Sequence, residues 1–188
     1  QRNNRKLLAD YVGGKRVLDV FSYIGGFAIQ AAVSGAREVW AVDSSRSALQ
    51  LAEKNARING VEKCFTGAWG DAFDVLKALR EDEETFDVIV VDPPAFIKRK
   101  KDHREGLKAY HHINELAVRL LRPKGFLLSA SCSMHLGRNE LMDVLRNCAR
   151  HSQRHVQILA EGGQGADHPL HPAIPETSYL KAFLAHIL

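Results

Sequence analysis

Val88-Ile-Val-Val91 is an unbroken β-branched apolar run, and Asp92-Pro93-Pro94 stops it abruptly. A run without polar alternation suits a central parallel strand covered on both faces. Each proline fixes φ, removes a backbone donor and biases its predecessor toward extended geometry, so the chain must leave the sheet at Asp92. In an open α/β sheet, ligands bind at this carboxyl edge. The stretch Phe86 to Phe96 thus asks two things of the other residues: helices over both faces of a sheet, and further strands that end on the same edge.

The remaining sequence alternates strand and helix character, with no internal repeat or low-complexity tract. A short helix is expected over Asn4 to Tyr11, a strand over Arg16 to Val20, a small-residue helix over Gly26 to Ser34 and a strand over Glu38 to Val42. Ser44 or Ser45 caps the next helix, whose Ala48, Leu49, Ala52 and Ala56 share a face, and Asn59-Gly60 stops it. Cys64 to Ala68 reads as a third strand, Asp71 to Arg80 as a helix and Phe86 to Asp92 as the fourth strand. After the basic stretch Lys98 to Arg104 comes a long helix with Ile113, Leu116, Ala117 and Leu120 on its core face, ended by Pro123-Lys124-Gly125. A fifth strand spans Phe126 to Ser131, and a helix places Leu141, Val144, Leu145 and Cys148 at helical spacing. Val156 to Ala160 and Tyr179 to Ile187 close the chain as strands, joined by a long loop rich in Gly, His and Pro. The class is α/β.

A length of 188 residues suits one domain with a single core. Its 45% hydrophobic and 26% charged content is that of a soluble globular chain. No apolar run approaches the ~20 residues of a membrane span, and the polar start at Gln1 is no signal peptide. A cytoplasmic protein with no membrane partner is expected. The start without Met reads as a fragment. Cys64, Cys132 and Cys148 are odd in number and far apart, which excludes a disulfide framework and offers no zinc spacing. A net charge of +4 permits an anionic partner.

Strand one empties into a tight turn, Asp19-Val-Phe-Ser-Tyr-Ile-Gly-Gly-Phe27, at the entrance to a helix. Glycines there let a ligand approach the backbone, and the helix amino end offers unpaired N–H groups. No Gly-x-Gly-x-x-Gly fingerprint and no Gly-Lys-Ser/Thr loop is present, which argues against dinucleotide and polyphosphate ligands. Asp43 lies at the end of strand two, where a doubly wound fold puts a ribose-binding carboxylate. Asp71 follows strand three and is equally explained as a helix cap. Acids at the ends of the first four strands suit a cationic ligand.

Asp92-Pro93-Pro94-Ala95-Phe96 resembles the Asp-Pro-Pro-Phe-type motif of S-adenosylmethionine-dependent methyltransferases that act on nucleic-acid bases. The resemblance implies a seven-stranded sheet whose last strand is antiparallel, and S-adenosylmethionine as cofactor. It places Phe21, Ser22, Tyr23, Gly25, Asp43, Ser44, Asp71, Ala72 and Asp92 around that cofactor. No metal is needed for methyl transfer from a sulfonium, and Asp167, His168 and His171 are better read as a substrate-facing loop than as ligands.

Strand five ends in Ser131-Cys132-Ser133, so Cys132 is expected beside Asp92 on the ligand edge. A cytosine C5 is too electron-poor to take a methyl group directly, and a thiolate adding to C6 removes that obstacle. Asp92 then holds the N3 edge. A free Cys is mostly thiol at neutral pH, so the field at this edge must help it ionise. Cys64 and Cys148 read as buried hydrophobes, and His135 as a surface or capping group rather than a base. Pro93, Pro94, Phe96, Lys98 and Arg99 are assigned to RNA: Phe96 and Tyr23 as stacking platforms for a flipped base, and the basic residues as phosphate contacts.

Phe21-Ser-Tyr-Ile-Gly-Gly-Phe27, Asp92-Pro-Pro-Ala-Phe96, Ser131-Cys-Ser133, Ala166-Asp-His-Pro169 and Tyr179-Leu-Lys181 together resemble the catalytic domain of the bacterial 23S ribosomal RNA large subunit methyltransferase I family. Its full-length members carry an amino-terminal RNA-binding PUA domain that is missing here. The resemblance implies 5-methylcytosine formation in large-subunit ribosomal RNA, and a homodimer is compatible with it. Related guanine methyltransferases lack a Cys at the position of Cys132. The larger group of RNA 5-methylcytosine enzymes has a second Cys where this chain has Ala95, so another proton acceptor is needed. The rival readings are a guanine or adenine N-methyltransferase on the same fold and a non-catalytic RNA-binding module.

Overall fold

The computed structural model describes all residues, Gln1 to Leu188. Helix α1 (Arg2–Ala9) precedes five strand-helix units: β1 (Arg16–Val20), α2 (Gly26–Val33), β2 (Glu38–Asp43), α3 (Arg46–Ile58), β3 (Phe65–Trp69), α4 (Ala72–Glu81), β4 (Phe86–Val91), α5 (His103–Leu120), β5 (Leu121–Ser131) and α6 (Arg138–His151). Strands β6 (Val156–Gly162) and β7 (Lys181–Ile187) complete a single sheet of order β3-β2-β1-β4-β5-β7-β6. Strands β1 to β5 are parallel, and β7 runs antiparallel between β5 and β6. The expected seven-stranded methyltransferase sheet with an antiparallel last strand is therefore present. No helix is long and apolar enough to cross a membrane.

The β-branched run works on both faces. Ile89 and Val91, with Leu18 and Val20, pack under α4, α5 and α6, while Val88 and Val90, with Val17, pack under α1, α2 and α3. All four residues of the run are fully buried. Alternate side chains point to opposite faces, so an apolar run with no alternation is what a two-sided core requires.

The first helix lies two residues earlier than expected and the last strand begins two residues later, at Lys181; a larger difference falls at the end of α5. The long helix ends at Leu120, three residues before Pro123, and β5 begins at Leu121 with an interruption before it pairs again at Val88 and Phe126. The Arg154 guanidinium explains the early stop: it donates to the carbonyls of Val118, Leu121, Arg122 and Ile187 at 2.7 to 3.1 Å. These satisfy carbonyls that a helix end leaves open, so the chain can turn without the proline.

Two turns are set by glycine. A Cβ on Gly25 would meet Ala52 Cβ at 3.1 Å and Ile29 Cγ1 at 3.2 Å, and its φ is +83°. Gly25 therefore serves the contact of α2 with α3, and it does not line the cleft described below. Gly106, in the first turns of α5, lies against the backbone of Phe96, whose carbonyl oxygen would be 2.8 Å from an added Cβ. That contact seats α5 directly on the turn after Asp92.

Candidate active site

The carboxyl ends of β1, β2, β4 and β5 open into one cleft of about 480 Å³, lined by Phe21, Tyr23, Asp43, Ser44, Asp92, Pro93, Pro94 and Cys132. Its remaining wall is Gln1, Gln164, His168, Tyr179 and Leu180. Because β4 and β5 are adjacent and Val91 pairs with Ser129, Asp92 and Cys132 leave the sheet side by side.

The turn after β1 is tightly curled, with positive φ at Phe21 (66°) and Tyr23 (52°). Asp43 holds it: its Oδ2 accepts from Tyr23 N and its Oδ1 from Ser45 N, both at 2.8 Å. Asp19 lies behind this turn, fully buried, with Oδ2 accepting from Ala28 N at 2.9 Å and Oδ1 left without a partner. The α2 amino end is thus partly taken by Asp19 and does not line the cleft.

Burial pushes the Asp19 carboxyl up to about 8, helped by the negative charges of Asp92 and Asp43 and opposed by the Ala28 hydrogen bond. Burial also raises Asp92 to about 6, against the hydrogen bond that Gln1 Nε2 donates to its Oδ1 at 2.6 Å. Raised carboxyl values mean that the stability these groups contribute is complete below the ordinary value of 3.8 and is lost as pH rises through 6 and then 8. Denaturation midpoints measured from about pH 5 to about pH 8.5 are expected to fall, and Asp19→Asn to flatten the upper part of that fall while its carbonyl keeps the Ala28 contact. Parallel pH profiles for the two proteins would remove Asp19 as the cause.

Cys132 sits half-buried, with its thiol 3.9 Å from the Pro93 carbonyl oxygen. A buried network fixes the turn that carries it. Ser131 Oγ donates to Tyr110 Oη at 2.8 Å, Tyr110 Oη and Ser133 Oγ are 2.8 Å apart, and Ile97 N donates to Ser133 Oγ at 3.2 Å. The network joins the Cys132 turn, the turn after Asp92 and α5.

The electrostatics reverse one expectation. Burial and the neighbouring Asp92 charge push the Cys132 thiol up, and only Lys181 among the nearby side chains pulls it down. The edge therefore favours the thiol, chiefly through burial, and neutralising the Asp92 charge removes the second of the two causes. Lys181, itself lowered by burial, is pinned by donating to the Ser133 carbonyl at 2.6 Å. Lys181→Met is expected to slow iodoacetamide alkylation of Cys132 severalfold at mildly alkaline pH, since the thiolate reacts and its counter-charge is gone. An unchanged rate would show that Lys181 does not act on the sulfur.

Several sequence-assigned residues lie elsewhere. Asp71 caps α4, its Oδ1 accepting from Phe73 N at 2.9 Å, and Ala72 is buried in the core. Ser22 is buried with its hydroxyl unpartnered. The Phe96 ring packs against Tyr110, Phe21 and Phe73 at 4.9 to 6.2 Å and does not line the cleft. Lys98 is exposed beyond the cleft lining, and Arg99 is paired with Asp102 at 2.8 Å. His135 does not line the cleft either. Of the late loop, His168 reaches the cleft, whereas Asp167 faces Arg2 at 4.0 Å and His171 Nδ1 accepts from Ala173 N. Gln164 holds that loop in place, donating to Thr177 O at 2.6 Å and accepting from Leu180 N at 3.4 Å. Nothing in the sequence marks Gln1 or Gln164, while His168 and Tyr179 stand in motifs already singled out.

A family model described as RNA cap guanine-N2 methyltransferase matches residues 14–168. The chain belongs to this methyltransferase family. It is also 39% identical, over its whole length, to ribosomal RNA large subunit methyltransferase I of Cronobacter sakazakii and of Klebsiella pneumoniae, and 38% identical to that of Salmonella typhi. It spans 47 to 48% of the length of these relatives. Among solved structures it resembles SMU.776 complexed with SAH, with TM-score 0.87 and 24% identity over 99% of this chain and 49% of that one. TrmN from Thermus thermophilus follows at TM-score 0.70 and 21% identity, over 99% and 48% of the two chains. A methyltransferase family and the doubly wound methyltransferase fold expected from sequence are thus established. The cleft has what an S-adenosylmethionine ligand would need: the lining carboxylates Asp43 and Asp92 face a cation, and Phe21 and Tyr23 offer apolar surface to the remainder.

Proposed function

We propose that the chain methylates carbon 5 of a cytosine in ribosomal RNA, of the large subunit as in its named relatives, with Cys132 as nucleophile and Asp92 as acid on the ring. The observation that carries this is the shared opening of the Cys132 sulfur and the Asp92 carboxyl on one cleft that fits a sulfonium donor. S-adenosylmethionine, when bound, supplies an electrophilic methyl group. Asp43, Ser44, Phe21 and Tyr23 are assigned to hold it, and Pro93 and Pro94 to face the base.

An Asp92 raised to about 6 is readily protonated, and a proton handed to cytosine N3 serves two ends. Cys132 loses its proton to solvent as its sulfur bonds to C6, the C5=C6 electron pair shifts to C4=C5, and the C4=N3 pair moves to N3, which takes the Asp92 proton. The C4=C5 pair would then bond C5 to the methyl group as the S–CH3 bond of the sulfonium breaks and leaves a neutral thioether, and the N3 lone pair restores C4=N3. In the last step a base removes the C5 proton, that electron pair restores C5=C6, the C6–S bond breaks and N3 returns its proton to Asp92. Among the cleft's carboxyl, thiol and imidazole side chains, Asp92 and Cys132 are engaged and both Asp43 oxygens hold the β1 turn. The His168 imidazole makes no hydrogen bond, and imidazole is the natural acceptor near neutral pH. We assign it the C5 proton.

The guanine-N2 reading is kept because of the family model's description. There Asp92 would hold the exocyclic amine and no covalent step would occur. RNA carrying 5-fluorocytidine separates the two: a denaturation-resistant adduct through Cys132 supports the cytosine reading, and its absence with methylation of guanine overturns it.

A further inference from the structure

Away from the cleft, α5 and α6 bring together side chains that the methyl-transfer chemistry does not use. His111 and Glu115 lie one turn apart on α5, and His151 stands in the last turn of α6. One ligand atom from each lies within 4.8 Å of the others. Cys148, one turn before His151, has its sulfur 3.7 Å from His111 Nδ1 and donates to the His111 carbonyl at 3.4 Å.

We propose that His111, Glu115, His151 and Cys148 form a structural zinc site that clamps α5 to α6. The residue set is a borderline mixture of two imidazoles, one carboxylate and one thiol, which suits zinc better than magnesium or calcium. Tetrahedral zinc with nitrogen at about 2.0 to 2.1 Å and sulfur at about 2.3 Å puts those two atoms about 3.6 Å apart. The His111–Cys148 separation already matches. For nitrogen and oxygen ligands the same geometry gives about 3.3 Å, so His111, Glu115 and His151 close by at most roughly 1.5 Å, and Cys148, which joins this trio through His111, must move with α6 toward the other two. Glu115 can take part while still paired with Arg119, which engages Oε1 at 2.7 Å and leaves the second oxygen. Binding ionises Cys148, whose proton is released to solvent. The spacing of the cysteines alone gives no sign of such a site, because it is assembled from two pairs on different helices.

The site also has a mechanical consequence. His111 follows Tyr110, whose hydroxyl holds the serines on either side of Cys132. A metal that locks α5 against α6 fixes the helix on which that network depends, whichever base the enzyme methylates.

Chelator-treated full chain titrated with Co²⁺ and Zn²⁺ near neutral pH tests the proposal. About one equivalent is expected to bind, with a tetrahedral Co²⁺ visible spectrum, a thiolate charge-transfer band, and a denaturation midpoint raised by several degrees. His151→Ala, at an exposed position, is expected to abolish the spectrum while remaining folded, and Cys148→Ser to remove the charge-transfer band. Absence of stoichiometric binding overturns the site. So does binding that survives His111→Ala with His151→Ala, which would place the ion elsewhere, and a tight complex lacking the thiolate band overturns the four-ligand assignment.

Discussion

Cys132→Ala is expected to abolish methylation, with a loss of at least about 10⁴-fold, while S-adenosylmethionine binds within about twofold of wild type. The size follows from the chemistry: without sulfur on C6 there is no electron-rich C5, and no neighbouring group in the cleft can replace it. The Cys132 side chain is half-buried, and removing its sulfur leaves the Ser131, Tyr110 and Ser133 hydrogen bonds in place, so the fold should tolerate the change. Equilibrium dialysis against labelled donor, together with turnover on large-subunit ribosomal RNA, checks both halves. Retention of full turnover by the alanine variant would remove the covalent route and leave the guanine-N2 reading in possession of the site.

His168→Gln gives the complementary result. If this imidazole takes the C5 proton, addition and methyl transfer still occur but the last bond cannot break. Turnover is expected to fall by about 10² to 10⁴, the usual contribution of a positioned base. A covalent RNA–protein complex then accumulates on ordinary cytidine substrate, without fluorine. Wild type is expected to show no such complex, and Cys132→Ala with His168→Gln none either. Normal turnover in the single variant would dismiss His168 without touching the role of Cys132.

The strand ends were legible in the sequence because each is marked locally: Ser45 and Asp71 by their caps, Asp92 by its prolines, Cys132 by its place after an apolar strand. What depends on the assembled fold was not. Phe96 reads equally as a stacking platform or as packing until Gly106 is seen to seat α5 against it. The charge field on Cys132 sums burial, Asp92 and a lysine almost fifty residues away, and its sign came out opposite to expectation. Asp19 is an ordinary strand acid in the sequence and becomes a titrating group only because α2 covers it. Arg154 replaces a proline as the reason a helix stops, through carbonyls from three separate segments.

Gly106 lies outside the cleft, yet it bears on how the Cys132 turn is held. Any methyl group there would lever α5 away from the Phe96 carbonyl, and Tyr110, one turn further along the same rod, would carry the tilt to both serines beside Cys132. The setting of that cysteine is therefore hostage to a hydrogen atom on a residue with no chemistry of its own.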